Sequence, residues 1–270
     1  MYKFFYRNSE KNSLKRFFFI VLLSLAASFR LSAAEGDSLR ILWIGNSYTY
    51  FHDLPQIVKD IASSQRMRLS TTTVLKGGEQ LSGHLKNPRL VSLLKSGGWD
   101  YVVVQEQSTL PSLATEDVIK TTYPYAHAID SMAKAGSPGV RVIYYMTWGH
   151  KYGTIYKTDY EPAHHYTTMQ ERLKTSYLEM AYKNQSWCAP VGMAWKKVRD
   201  EHPDYQLYED DCTHPSIMGS YLAANVIFTT IFQRPYQTGV KCGIADDKAE
   251  ILQQTAQRTV LENLRLINIR

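Results

Sequence analysis

Short apolar runs alternate along this chain with longer segments in which apolar side chains recur every three or four residues, from residue 40 to about residue 232. Buried parallel strands have continuous apolar runs, whereas half-buried helices have the longer repeat. The strand pattern occurs at residues 40–44, 69–75, 101–104, 142–146 and 188–191. Strands that alternate with helices predict a parallel sheet covered on both faces, which is a three-layer α/β/α sandwich.

Helical spacing predicts helices at residues 54–64, 88–96, 115–135, 166–184, 192–199, 216–232 and 246–267. Pro124 lies inside the third of these segments, and because proline has no amide hydrogen it predicts a kink or a break there. No linker, repeat or low-complexity tract divides residues 35–270. These residues therefore predict one α/β domain with a single large core.

A different pattern covers residues 1–34. A basic stretch ends at Arg16, an apolar run follows at residues 17–27, and the small residues Ser32-Ala33-Ala34 precede Glu35. This is the layout of a secretory signal peptide, and the apolar run is too short to span a bilayer comfortably. We therefore expect residues 1–34 to be cleaved, the protein to be periplasmic or secreted, and no membrane insertion to follow cleavage.

The distribution of charge along the chain argues against one class of partner. The leader carries six Lys and Arg and one Glu, so most of the formal net charge of +6 belongs to it. Lys and Arg are scattered over the remainder, which argues against a nucleic-acid partner.

In an exported protein one disulfide could form, and the sequence leaves its pairing open among Cys188, Cys212 and Cys242. His164-His165 with Asp210 lacks a third metal ligand at a recognised spacing, so we expect no metal or other cofactor.

Gly45-Asn46-Ser47 ends the first strand-like run. Ligands of open α/β sheets bind just outside the carboxyl ends of the strands, so Ser47 is where a nucleophile would be useful. The same tripeptide is also typical of a glycine turn whose serine caps the next helix. These residues alone leave both interpretations open, and the capping turn is the commoner of the two.

Asp211-Cys212-Thr213-His214-Pro215 precedes the long apolar helix at residues 216–232. An aspartate three residues before a histidine, at a junction of loop and helix, can accept the Nδ1–H of the imidazole and leave Nε2 facing outward. Glu209 and Asp210 lack this spacing. The alternative is an aspartate that caps a helix, and the segment alone does not favour either interpretation.

The combination resembles the SGNH (GDSL-like) hydrolases over roughly residues 40–232, because Gly45-Asn46-Ser47, the Asp211-x-x-His214 pair and polar loops after the strands occur together. It is similar in particular to an exported bacterial branch that has Gly-Asn-Ser at the nucleophile and Gln-Glu-Gln-Ser after the third strand. The resemblance implies a flavodoxin-like sheet, with Ser47 as nucleophile, His214 as general base and Asp211 as the residue that orients the base. With a histidine pKa of about 6.5, activity is expected to rise between about pH 6 and 7.

The resemblance also implies an oxyanion hole formed by the Ser47 amide, a glycine after the second strand and a side-chain amide after the third. The glycine corresponds best to Gly78, with Gly77 as the adjacent alternative. The family usually has Gly-x-Asn-Asp in the third block, where this chain has Gln105-Glu106-Gln107-Ser108. Gln107 falls at the asparagine position, and Gln105 is the alternative if the loop turns differently.

Other polar side chains near these loops are candidates for substrate contact. We expect Asn46, Gln105, Trp148 and His150 to contact substrate, the last two from the loop that leaves the fourth strand. Glu106 is expected to be paired or turned away, because a carboxylate beside an oxyanion would oppose catalysis.

These observations predict a cofactor-independent serine esterase that acts on a small-molecule or glycan ester, and O-acetylated carbohydrate is the first expectation. One alternative is a lipase-like or thioesterase-like enzyme of the same fold, which would prefer longer acyl chains. The other is a carbohydrate-binding protein that keeps the fold without turnover. Loss of activity on substitution of Ser47 would separate the enzymes from the binding protein.

Overall fold

Five short strands form the centre of the molecule. The structure is a computed structural model that describes residues 38–154 and 158–270, so the expected leader at residues 1–34 lies outside the described residues. The strands are β1 (Leu39–Gly45), β2 (Leu69–Leu75), β3 (Tyr101–Val104), β4 (Arg141–Tyr145) and β5 (Trp187–Ala189). Each of them overlaps a predicted strand, because a continuous apolar run is a local signal.

The strands form one sheet in the order β2-β1-β3-β4-β5, and every neighbouring pair is parallel. This is the flavodoxin-like order, with the first strand between the second and the third. Ile41, Leu42 and Trp43 of β1 are fully buried, as expected for a strand covered on both faces. The prediction of a three-layer α/β/α sandwich is confirmed.

Helices flank the sheet on both faces. They are α1 (Ser47–Tyr50), α2 (Leu54–Ser64), α3 (Leu81–His84), α4 (Pro88–Ser96), α5 (Thr115–Thr121), α6 (Tyr123–Gly136), α7 (Tyr166–Lys183), α8 (Val191–Glu201), α9 (Ile217–Phe232) and α10 (Asp246–Leu261). The predicted break near Pro124 is present: α5 and α6 are separate, and Pro124 lies in the first turn of α6, where a missing amide hydrogen costs no hydrogen bond. The last helix ends at Leu261, six residues before its predicted end.

The single-turn elements escaped prediction. Besides α1 and α3 they are the 3₁₀ turns Phe51–Asp53, Leu110–Ser112 and Glu161–His164. Elements this short lack a hydrophobic repeat, and side-chain caps and tertiary contacts decide whether they form.

Packing brings the loops after the strands to one edge of the sheet. The almost entirely buried α9 packs against α2 and α10, whereas α6 lies beside α4 and α7. Because the strands are parallel, the segments that follow β1, β2, β3 and β4 all leave at the same edge. Across residues 38–154 and 158–270, none of the helices combines the length and apolar character needed to cross a bilayer.

Candidate active site

The nucleophile turn, residues 45–49, places Ser47 at the first position of α1. Asn46 caps this helix: its Oδ1 accepts the Tyr48 N–H at 3.2 Å, and its Nδ2 donates to the Glu79 carbonyl oxygen at 3.1 Å. Asn46 is therefore 2% exposed although it lies at the wall of the cavity. Its side-chain amide is bonded within the protein to Tyr48, Glu79 and Gln105, and contact of Asn46 with substrate stays a prediction.

Gln105 braces the nucleophile turn from beneath and is fully buried. Its Oε1 accepts the Asn46 N–H and the Thr49 hydroxyl, both at 2.9 Å, and its Nε2 donates to Asn46 Oδ1 at 3.0 Å and to the Glu106 carbonyl oxygen. A Cβ atom at Gly45 would lie 2.6 Å from Gln105 Oε1, so this close approach requires glycine. All the polar atoms of the Gln105 side chain are used inside the protein, which corrects its expected role in substrate or oxyanion contact.

The base loop, residues 209–215, brings a histidine to Ser47. His214 Nε2 lies 2.8 Å from Ser47 Oγ, and His214 Nδ1 is hydrogen-bonded to Asp211 Oδ2. A carboxylate can only accept, so the proton of the imidazole is on Nδ1 and Nε2 accepts from the serine hydroxyl. The structure thus brings together Ser47, His214 and Asp211, the three residues that the resemblance implies as the catalytic set.

Asp211 is held by its own loop. Its Oδ1 accepts the backbone N–H groups of Thr213 and His214, each at 2.9 Å. Burial opposes ionisation of this carboxyl group, but the hydrogen bond to the His214 side chain and the two backbone N–H groups outweigh it and lower its pKa to about 2. Asp211 is therefore ionised throughout the neutral range and can orient the imidazole.

The Ser47–His214 pair opens into a cavity of about 570 Å³. Two aromatic rings form part of its wall: Phe51 stacks on the His214 imidazole with 4.5 Å between ring centroids, and Tyr50, which is 43% exposed, stacks on Phe51. Neither residue is among the site residues predicted from the sequence. The signal available was spacing, because Tyr50 lies three residues after Ser47 on α1 and so shares its face.

Gly78 and Gln107 also line the cavity, whereas Glu106 is buried beneath it. Gly78 has φ +67°, which favours glycine, and a Cβ atom there would meet nothing within 4 Å. The side-chain oxygen of Gln107 accepts the N–H groups of Thr109 at 2.8 Å and Leu110 at 3.1 Å. Its Nε2 is the donor end of the amide and makes one long hydrogen bond, to Ser108 Oγ at 3.5 Å.

Trp148 and His150 differ in their relation to the cavity. Trp148 is fully buried, stacked between Tyr48 and Trp195 at 4.6 and 3.9 Å, and its Nε1–H donates to the Thr213 carbonyl oxygen at 3.0 Å. It supports the base loop from behind the cavity, so the expected substrate contact by Trp148 is corrected. His150 does line the cavity, and burial lowers its pKa to about 4, which leaves it neutral at pH 7.

The three cysteines are free thiols, so no disulfide braces the base loop. Within the described part of the chain, no group of three or more His, Cys, Asp or Glu side chains is arranged to hold a metal ion.

Comparison with known proteins places this geometry in context. No protein-family model matches the chain, and no curated protein sequence matches it significantly. Among solved structures, a provisionally named SGNH hydrolase from Slackia heliotrinireducens is 27% identical over 72% of this chain and all of that chain, with a TM-score of 0.58.

Two further solved structures are similar at lower identity. A DUF4886 family protein from Bacteroides uniformis is 17% identical over 83% of this chain and 95% of its own, with a TM-score of 0.65. An acetyl xylan esterase from Geobacillus stearothermophilus is 14% identical over 75% and 99% of the two chains, with a TM-score of 0.52. The chain therefore has the fold of the SGNH (GDSL-like) hydrolases, and its 27% identical neighbour supports a place in that superfamily.

Proposed function

We propose that this protein is a serine esterase that works through an acyl-enzyme. The observation that carries the proposal is the 2.8 Å contact between Ser47 Oγ and His214 Nε2, with Asp211 on the far side of the imidazole. His214 takes the serine proton as Ser47 Oγ attacks the ester carbonyl carbon, and then gives it to the leaving alcohol oxygen. In the second half, His214 takes a proton from water as the water oxygen attacks the acyl carbon. The bond from that carbon to Ser47 Oγ then breaks, His214 returns the proton to Oγ, and the acid leaves.

The oxyanion hole of this cycle combines the Ser47 N–H, the Gly78 N–H and Gln107 Nε2. Neither backbone N–H donates a hydrogen bond within the described residues, so both are available as donors. Gln107 replaces the shorter asparagine of the commoner pattern, and its anchored oxygen holds the longer side chain in place. Donors that are fixed before the reaction stabilise the developing negative charge without reorganisation.

The substrate class proposed is O-acetylated carbohydrate. The exposed Tyr50 ring offers a flat apolar surface to the C–H face of a sugar, and Ser108, His150 and Thr154 line the same cavity with polar groups. A cavity of about 570 Å³ is much larger than an acetyl group and so has room for a bulky alcohol portion. The acetyl xylan esterase with the same fold is consistent with this choice.

Export is part of the proposal and rests on the leader-like pattern at residues 1–34. An exported esterase would meet acetylated glycans outside the cytoplasm. Amino-terminal sequencing of the protein secreted by a bacterial host is expected to begin at Glu35. Recovery of the uncleaved chain in the cytoplasm would contradict export.

The test is hydrolysis of p-nitrophenyl acetate and p-nitrophenyl octanoate by the wild type and by Ser47→Ala. We expect faster turnover of the acetate and a loss of about 10⁴-fold or more in the variant, because the nucleophile is removed. Acetate release from acetylated xylan would then test the substrate class. Preference for octanoate would indicate a substrate with a longer acyl chain. Activity that survives in Ser47→Ala would overturn the mechanism.

A further inference from the structure

Glu106 is a buried carboxyl group to which the catalytic cycle above gives no role. It follows β3 directly, and only 1% of it is exposed. Its neighbours in sequence are Gln105, which braces the nucleophile turn, and Gln107, which lines the cavity. A carboxyl group buried at such a place is costly unless its hydrogen bonds serve the structure around it.

One oxygen of Glu106 joins two loops. Its Oε1 accepts the Leu81 N–H at 3.0 Å and the Gln107 N–H at 2.7 Å. Leu81 begins α3 and lies three residues after Gly78, so the bond holds the loop that follows β2. The other bond holds the loop that follows β3. The Glu106 N–H itself donates to the Tyr177 phenol of α7 at 3.3 Å, which fixes the residue from a third side.

The second oxygen shows which protonation state fits this site. Oε2 is buried and has no hydrogen-bond partner among the described residues. The neutral acid leaves one unbonded O–H there, whereas the ionised group leaves a buried negative charge, which is the costlier of the two. Burial raises the pKa of Glu106 to about 8, against the lowering effect of the Gln107 and Leu81 N–H groups, and the nearby charge of Glu79 raises it further. An uncharged Glu106 at pH 7 can lie beside a developing oxyanion without repelling it.

The other titratable groups on the packed elements are Glu79 with its Lys76 partner, His84 on α3 and Tyr177 on α7. The Lys76 side chain lowers the pKa of Glu79 by its hydrogen bond, and burial lowers that of His84. Burial raises the pKa of Tyr177 far above neutral. None of these three shifts moves a titration into the range near pH 8 where Glu106 ionises.

We propose that Glu106 is a positioning residue for the oxyanion hole, whose side chain joins the Gly78 loop to the Gln107 loop and fixes the spacing of the two donors. The inference rests on the proposed esterase function. Loss of the proton puts an unpaired negative charge beneath both donors, which weakens their hold on an oxyanion. Activity therefore falls as the pH rises through about 8.

The activity test compares Glu106→Gln and Glu106→Ala with the wild type on p-nitrophenyl acetate between pH 6 and 9.5. We expect Glu106→Ala to lose about 10- to 100-fold in kcat with KM changed less than threefold, because the donors are displaced while the cavity remains. Glu106→Gln keeps an acceptor oxygen, so its kcat at pH 7 returns to within about threefold of the wild type, and it lacks the decline above pH 8. Glu116→Gln, an exposed site on α5, is the matched control and keeps the decline.

Glu79→Gln adds a graded test. Removing the Glu79 charge makes ionisation of Glu106 easier, so the decline in activity is expected to move to lower pH. Wild-type kcat in Glu106→Ala, or the wild-type decline in Glu106→Gln, overturns the positioning role. Absence of Ser47-dependent turnover in the wild type instead overturns the proposed function, so the two failures are distinguishable.

A spectroscopic readout on the wild type is independent of turnover, and it needs the folded Glu106→Gln variant only for assignment. In the wild type, the ¹³C signal of the Glu106 carboxyl group, assigned by its absence in Glu106→Gln, is expected to titrate near pH 8. The ¹⁵N–H signals of Gly78 and Gln107 are expected to move with it, because both loops share the bridge. A carboxyl titration below pH 6, or amide signals that do not follow it, overturns the proposal.

Discussion

The nucleophile turn and the base loop differ in where their hydrogen bonds go. The nucleophile turn is buried and held by partners distant in sequence, since Asn46 is bonded to Gln105 and to Glu79, and His84 Nε2 donates to the Gly45 carbonyl oxygen at 2.9 Å. The carboxylate of Asp211, by contrast, is bonded only within its own loop and its side chain is 48% exposed. Substitutions in the turn should therefore lower the stability of the whole fold. Substitution of Asp211 should instead lower activity and leave stability almost unchanged.

The largest effect is expected for Asp211→Asn, which should lower kcat about 10³-fold with little change in Tm. An asparagine cannot favour the imidazole tautomer in which Nε2 accepts the serine proton. Since the pKa of Asp211 is about 2, its carboxylate is ionised at every pH of an ordinary assay, and the loss should be present at both pH 6 and pH 8. Asp210→Asn is the matched control, and equal losses in both variants would contradict the assignment of Asp211.

Next is Gln105→Ala, which should lower stability by about 3 kcal/mol because it leaves several buried groups of the nucleophile turn without partners. For a chain of this size that corresponds to a decrease in Tm of roughly 6 to 12 °C, measured by thermal unfolding. Gln254→Ala, an exposed glutamine of α10 bonded only to Glu250, should change Tm by about 1 °C or less. Equal Tm values for both would remove the contrast between the two regions.

A smaller effect is expected for Phe51→Leu, which keeps an apolar side chain but removes the flat ring stacked on His214. Such a contact contributes about 1 kcal/mol, so kcat should fall about fivefold. Tm should change little, because Phe51 is only half-buried. Phe51→Tyr keeps the ring and should keep most of the activity; if it loses as much as Phe51→Leu, stacking is not the cause.

The smallest effect is expected for reduction. Because Cys188, Cys212 and Cys242 are free, dithiothreitol should shift Tm by less than about 1 °C and leave kcat unchanged. Non-reducing mass analysis should find three alkylatable thiols after unfolding. A large loss of stability on reduction would show that a covalent link braces the base loop after all.

The same contrast explains how much of the molecule could be predicted. The strands follow from local apolar runs, and the Asp211–His214 pair follows from a spacing of three residues, so both are visible in sequence. Whether Gln105 faces the cavity or the core depends on which loop lies above it, and that is decided by chain more than fifty residues away. The sequence predicts Trp148 at the cavity because it follows β4, yet stacking on Tyr48 and Trp195 turns it into the core.

Glu106 is a second example of a residue whose contacts could not all be predicted from the sequence. Electrostatics predicted that it would be paired or turned away from an oxyanion, and the structure does pair one of its oxygens with two backbone N–H groups. Its bridge between two loops could not be foreseen, because nothing near residue 106 indicates that the start of α3 lies beside it. Electrostatics could predict that a charge facing the oxyanion is excluded here. Which backbone N–H groups the carboxyl group binds depends on how the chain folds.

The strand order has a consequence for which parts of the candidate site can vary independently. β1 lies between β2 and β3, so the loops with Gly78 and Gln107 reach Ser47 from the two adjacent strands, while the segment with His150 leaves β4, one strand further out. The inner three strands therefore carry Ser47 and the two proposed oxyanion donors, whereas His214 and Asp211 come from the base loop at residues 209–215. The outer segment is tied to the base loop, since the Lys151 N–H donates to the Cys212 carbonyl oxygen at 2.8 Å and the Trp148 Nε1–H donates to that of Thr213. A change in the segment after β4 is therefore expected to alter the wall of the cavity and the position of His214 together.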